Sequence, residues 1–435
     1  MLLKLTTVAA LVLVAASSAA AQFAPCHSDA LLAPMFASEN AEVIPDSYFV
    51  VFKNGIRAQD NSGWVQDLHR RDVSFNGQAD PDSGVRHVYD MGSFQGLAGR
   101  FSPEVLDEIR RNPDVDYIER DQMVYAFDTQ KGAPWGLARI SHRKKLTLRS
   151  FNKYEYNPKG GKGVTVFVID TGINSKHKEF EGRASWGKTI PYGDPDSDDN
   201  GHGTHCAGTI ASKAYGVSKK AEVVAVKVLR SNGSGTMADV IAGIDFAVKS
   251  HKSLRTQQGN KYKGSVANMS LGGGKSRPLD SAVSNAIAQG LHFSVAAGND
   301  NRDACDVSPA GVENAITVGA SNKYDQKAYF SNYGRCVDVF APGQDIESTW
   351  TGSDSAKNTI SGTSMAAPHV AGLVAYYLSL APQSDSGFNS GPISTKEMKD
   401  LLKKTATKDA LTGVNRETPN LLIYNSVDKD RFYAW

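Results

Sequence analysis

The sequence predicts an α/β protein with a doubly wound, mostly parallel sheet flanked by helices, preceded by a small α+β domain. Three observations carry that prediction. Beyond residue 160, short runs are apolar almost without interruption, "GVTVFVID" (Gly163–Asp170) most clearly, as in strands buried on both faces. Between such runs lie longer segments with helical spacing: "MADVIAGIDFAVKSH", "LDSAVSNAIAQG" and "MAAPHVAGLVAYYLSL". The first third lacks this alternation and mixes short strands with an amphipathic helix.

In chain order, residues 1–21 read as an export signal. Lys4 supplies a basic flank, Val8–Ala16 an apolar run, and "SSAAAQ" small residues for cleavage near Ala21. The run is short for a membrane span and no other long apolar segment follows, so no membrane anchor is expected. Residues 22–127 hold the α+β module, its folded part about 47–125. Within it, "SYFVVFK" and "FQGLAGRFS" read as strands, "SPEVLDEIRRNP" as a helix capped by Ser102 with Val105, Leu106 and Ile109 on one face, and "VDYIE" as a strand. "DTQKGAP" reads as a linker, and 128–435 form the main domain. There "AEVVAVKVL", "GSVANMSL", "LHFSVAAGN" and "NAITVGAS" repeat the buried-strand character. "KSLRTQQGNKYKG" reads as a solvated loop and "SDSGFNSGP" as another, after which Ser394 and Glu397 form a capping-box pattern ahead of Met398, Leu401 and Leu402.

Charged residues make up 22% of the 435, with a net charge of +2, which gives no pull toward nucleic acid. Partners must be sought in sites. Four cysteines, Cys26, Cys206, Cys305 and Cys336, allow several pairings, and export permits disulfides.

In a doubly wound sheet, functional groups gather at the carboxyl ends of strands. Asp170 ends the first buried strand. "DDNGHGTHCAGTIA" brings His202 and His205 into a small-residue helix; their spacing of three and the missing glutamate do not fit the zinc pattern His-Glu-x-x-His. Ser364, in "SGTSMAAPHVAG", stands at a helix start, where free N–H groups and the dipole favour negative charge. A serine hydroxyl needs an imidazole to take its proton, and the imidazole needs a carboxylate to orient it. His369 lies about 140° round the helix from Ser364 and cannot serve. Asp170, His202 and Ser364 follow one of the known chain orders for this chemistry. Asn299, after the strand in "SVAAGND", can join the Ser364 N–H as an oxyanion donor. "GGGKS" imitates a phosphate-binding loop, but Met269 stands where that pattern needs glycine.

"VIDTGI", "NGHGTHCAG", "AAGND" and "SGTSMAAPHVAG" resemble the signature motifs of the subtilisin superfamily. "APWGLARISHR", "AVKVLRSNGSGTM", "VANMSLGGGKS" and "AYFSNYGRCVDVFAPG" are similar to its proteinase K branch, and within it to the fungal vacuolar protease B (cerevisin) type. The likeness covers Ala133 to Asn425, and the N-terminal block resembles the inhibitor-like propeptide of these enzymes.

The resemblance implies a subtilisin-like fold and a serine endopeptidase. Asp170 orients, His202 is the general acid and base, Ser364 the nucleophile and Asn299 the oxyanion donor; His205 and His369 are packing residues. Asn232, Gly233, Ser234 and Gly235 pair with substrate as an added strand. Ser270, Leu271, Gly272, Gly273, Ala296, Ala297 and Gly298 wall the primary pocket, which implies broad specificity with a large apolar or aromatic residue before the cut. Cys305 and Cys336 form a disulfide, worth roughly 3–4 kcal/mol; Cys206 is a buried free thiol, and Cys26 leaves with the propeptide. No cofactor is required for the chemistry, but a structural calcium is implied at Asp338, with backbone carbonyls near Glu313 and Ala315 as further ligands. Partners are protein and peptide substrates and the chain's own propeptide, a folding aid and inhibitor whose tail "MVYAF" is apolar enough for the substrate groove. Self-cleavage falls between Tyr125 and Gly132. A monomer in the vacuole lumen is expected, with secretion as the alternative, and fungal relatives of both kinds are allergens. The rival readings are a catalytically inactive homologue acting as a binding protein and a Cys–His protease using Cys206.

Overall fold

Strand β8, Val164–Asp170, is buried along its whole length, and its side chains alternate between two cores. Val164, Val166 and Val168 enter one cluster; Phe167 and Ile169 enter the other. This two-residue period turns a continuous apolar run into an interior strand of a layered fold. The computed structural model describes residues 32–36, 43–76, 83–122, 128–381 and 393–427. The expected signal, Cys26, the "MVYAF" tail and the "SDSGFNSGP" segment lie outside the described residues.

The chain divides into two compact units, one containing 50–118 and the other 36–49 and 119–435. Toward the N-terminus run β1 (Met35–Phe36), β2 (Val43–Phe52), α1 (Ala58–Asn76), β3 (Gly84–Met91), β4 (Phe94–Arg100), α2 (Pro103–Arg110) and β5 (Val115–Gln122). Their sheet order is β1-β5-β2-β4-β3, and β2 to β5 with the two helices follow a split βαβ pattern. Ser102 accepts from Val105 N to cap α2, whose buried face is Val105, Leu106 and Ile109. Helix α1 and strand β3 are additions to the sequence reading.

Next come β6 (Asp128–Lys131), α3 (Trp135–Ile140) and β7 (Lys153–Tyr156). The "DTQKGAP" linker is corrected here, because Asp128–Lys131 pairs antiparallel with β7. After β8 follow β9 (Ala184–Thr189), α4 (His202–Ala211), β10 (Glu222–Lys227), α5 (Met237–Gln258), β11 (Gly264–Met269), β12 (Gly273–Gly274), α6 (Arg277–Ala288), β13 (His292–Ala296), β14 (Val307–Ser308), β15 (Ile316–Ser321) and β16 (Val339–Pro342). The chain continues through β17 (Ile346–Thr349), β18 (Lys357–Ile360), α7 (Thr363–Leu380), α8 (Thr395–Thr405), β19 (Thr407–Lys408) and β20 (Leu421–Leu422).

The main sheet has the order β19-β20-β16-β15-β13-β11-β8-β10-β9. Its pairs are parallel except β19 with β20. Helices α4 and α7 fill the core on one face, α5 and α6 the other. From β8 the chain proceeds to β10 on one side and later to β11 on the other, so β8 is the switch point where crevices open. The expected loop "KSLRTQQGNKYKG" is instead the end of α5 and a short 3-10 turn, Gly259–Lys261. Among the described residues no helix is long and apolar enough to cross a membrane.

Candidate active site

Asp170 ends β8 fully buried, and its Oδ1 accepts from Thr171 N at 2.8 Å and meets His202 Nδ1 at 2.8 Å. His202 opens α4, and the turn before it is drawn together by Asp198. That carboxylate accepts from Thr171 Oγ1 at 2.9 Å, Gly201 N at 2.9 Å, Thr204 N at 2.9 Å and Thr204 Oγ1 at 2.6 Å. Gly201 takes φ 102°, a left-handed value that a side chain would resist. Burial favours the neutral His202 ring, but Asp170, through its charge and hydrogen bond, and the Asp198 charge outweigh it and hold the imidazole above its usual 6.5. Asp198 was not singled out from sequence, although the "DDNG" before the histidine carried a turn-capping signal.

Ser364 sits in the first turn of α7, and its hydroxyl donates to the Ser270 carbonyl at 3.1 Å, not to His202. Ser270 joins the two halves of the site. Its carbonyl holds the serine hydroxyl, its own hydroxyl donates to Ser364 O at 2.8 Å, and it lines a cavity together with His202. Catalytic hydrogen bonds often close only when substrate arrives.

Asn299 is aimed by Thr363, whose N–H and hydroxyl both donate to Asn299 Oδ1, at 2.8 and 2.9 Å. The amide NH2 is thereby left to point away. A methyl group placed on Gly362 would lie 3.6 Å from Asn299 Nδ2 and 3.5 Å from Ser364 N. Both nitrogens thus lie within 3.6 Å of one point beside the serine, close enough to serve a shared acceptor. Gly298, with φ 105°, turns the chain sharply ahead of Asn299, and any side chain there would strike the Asn332 amide. Thr363, like Asp198, escaped the sequence reading.

Two cavities flank this centre. The larger, about 430 Å³, runs along Gly233, Ser234 and Gly235 past His202 to Ser270, Leu271 and Gly272. The smaller, about 220 Å³, is walled by Leu271, Gly272, Gly273, Ala296 and Gly298, reaches Val307 and Ala310, and opens beside Asn299 and Ser364. Two residues expected along the substrate groove, Asn232 in the added strand and Ala297 in the pocket wall, do not line these cavities. Asn232 uses its Oδ1 to accept from Ser234 N and Oγ, closing the turn, and Ala297 is packed in the core.

His205 bonds the Ile346 carbonyl at 2.9 Å and His369 the Met365 carbonyl at 2.8 Å, and burial lowers both to about 4. Cys206 is a buried free thiol that donates to Ser364 O at 3.4 Å. Burial pushes that thiol well above its usual range, which opposes a thiolate nucleophile. Cys305 and Cys336 are joined in a disulfide.

The residues at the expected calcium position do not fit a calcium ion. Lys399 Nζ stands 2.6 Å from Glu313 O, 2.8 Å from Ala315 O and 2.8 Å from an Asp338 carboxylate oxygen. The Lys399 ammonium thus stands at the point these three oxygens face.

Comparison with known proteins places the chain in a family. Residues 161–419 match the subtilase family and residues 47–127 the peptidase inhibitor I9 family. The chain is 56% identical to subtilisin-like protease 8 of Arthroderma benhamiae, across 92% of this chain and 85% of the relative. It is 55% identical to the subtilisin-like serine protease Pen c 2 of Penicillium citrinum, across 90% of each. A solved cold-adapted subtilisin-like serine proteinase is 44% identical, with a TM-score of 0.60, covering 68% of this chain and 100% of that one.

Proposed function

The chain belongs to the subtilase family, and from that premise we propose that it is a self-processed endopeptidase of broad specificity which cuts after large apolar or aromatic residues. It is a subtilisin-like serine protease with an I9-type propeptide, hence a zymogen. Its substrates are proteins and peptides, and the propeptide is its inhibitor.

In the proposed mechanism the Ser364 hydroxyl leaves the Ser270 carbonyl and attacks the substrate carbonyl carbon while His202 Nε2 takes its proton. Asp170 holds the ring by Nδ1 and stabilises the imidazolium. The tetrahedral oxyanion sits between Asn299 Nδ2 and Ser364 N. Collapse breaks the C–N bond, and His202 returns the proton to the leaving amine. Water, deprotonated by the same imidazole, then releases the acyl group. The observation that carries this reading is that Asn299 Nδ2 and Ser364 N lie within 3.6 Å of one point beside a serine at a helix start.

The specificity reading is supported by the glycine and alanine walls of the smaller cavity and its apolar residues Val307 and Ala310. Self-cleavage is assigned between Tyr125 and Gly132, and the protein to the vacuole lumen as a monomer that arrives by the secretory route, with export as the second destination. A fluorophosphonate probe followed by peptide mass mapping tests the mechanism: the adduct should fall on Ser364. An adduct elsewhere, or none on folded protein, contradicts the assignment. Chromogenic peptides with phenylalanine, glycine or aspartate before the cut test the pocket, with phenylalanine preferred over glycine by at least roughly tenfold in kcat/KM.

A further inference from the structure

Asp338 stands immediately before β16 with its side chain 9% exposed, and one carboxylate oxygen accepts from Thr317 N at 3.0 Å. Beside it, the Glu313 and Ala315 carbonyls face the same point. Three oxygens around one centre, one of them anionic, form the beginnings of a cage for a hard cation. We propose that Lys399 is a tethered cation that replaces calcium in this cage, so that α8 is fastened to the sheet by the chain itself and independently of free calcium.

The match is stoichiometric. An ammonium has three N–H donors and no acceptor, and the three are used by Glu313 O, Ala315 O and Asp338. Lys403, one helical turn on, brings a second ammonium 3.8 Å from the other Asp338 oxygen. Two positive groups thus face one carboxylate, and a divalent ion entering the cage would meet repulsion from both. Placement of Lys399 accompanies docking of α8, because Met398 and Leu402 on the same helix are buried in the core. A calcium ion must be drawn from solution, so its stabilising effect depends on its concentration. A side chain on a docked helix has no such dependence. The fastening also reaches the substrate pocket: Thr317, held by Asp338, donates its hydroxyl to Ala310 O at 2.8 Å, and Ala310 lines the cavity beside Ser364.

The test compares thermal unfolding of the full-length chain in EDTA and in calcium chloride, in a Ser364→Ala background that prevents self-digestion, with calcium binding measured by equilibrium dialysis. The parent midpoint should agree within about 1 °C between the two conditions. Lys399→Ala should melt several degrees lower in EDTA and regain part of the loss in calcium, with binding of calcium by dialysis. Adding Asp338→Asn to Lys399→Ala should abolish that regain. Lys399→Met, which retains the alkyl stem, should respond as Lys399→Ala does and separates loss of the charge from loss of packing. The proposal is overturned if the parent binds calcium in a manner removed by Asp338→Asn, or if neither Lys399 variant gains a calcium response.

Discussion

Thr363 holds the Asn299 side-chain oxygen with two hydrogen bonds, so the direction of the amide is set before any substrate arrives. Removing the amide with Asn299→Ala should lower kcat by roughly 10²–10³, or about 3–4 kcal/mol, with little change in KM. Thr363→Val keeps the backbone bond but loses the hydroxyl, and a smaller kcat loss of roughly tenfold is expected, again with KM nearly constant. A loss confined to KM would place both residues in substrate binding instead. His202 must be neutral to act as base. Because Asp170 and Asp198 hold its pKa above 6.5, the rising limb of kcat/KM against pH should lie above that value. A limb at or below it would contradict the proposed role. At this scale the sequence displayed Asp170, His202, Ser364 and Asn299, because chemistry demands those residue types. It hid Asp198 and Thr363, whose work is to orient neighbours that only the fold brings near.

Two helix starts supply the site, α4 presenting His202 and α7 presenting Ser364, while the carboxyl ends of β8, β10, β11 and β13 supply the rest. The buried strands were legible because each is apolar on both faces. The end of α5 was not, since beyond His251 it is largely exposed and carries no apolar stripe to betray a helix. Strand β6 was hidden for another reason: "DTQK" is polar and becomes a strand through its distant partner, Lys153–Tyr156. Local chemistry did mark α8, where Ser394 accepts from Glu397 N at 3.2 Å and Glu397 accepts from Ser394 N at 2.8 Å. Ser394→Ala should therefore cost about 1 kcal/mol, read as a lower thermal midpoint without change in kcat. An unchanged midpoint would show that docking of Met398 and Leu402, not the cap, fixes this helix.

Across the whole molecule, burial lowers His205, His292 and His369 to about 4 from 6.5. The unfolded chain then binds more protons than the folded one between those values. The stabilising contribution is complete above pH 6.5 and is lost as pH falls toward 4, on the order of 3 kcal/mol for each ring at the acid end. His292 has an unpartnered Nδ1, so His292→Leu should flatten the fall of the thermal midpoint between pH 6.5 and 4. An unaltered slope would exclude that ring as a contributor. The long-range pairing of a parallel sheet should also fold slowly, which gives a propeptide a purpose beyond inhibition. The central claim is that Ser364 is the nucleophile of a protease that processes itself, and expressing the full chain beside its Ser364→Ala variant tests it most directly, by precursor mass and by hydrolysis of a phenylalanyl chromogenic peptide. The wild type should shed its propeptide and cleave the peptide while the variant, equally folded, does neither; a variant that processes and cleaves like the wild type would contradict the account.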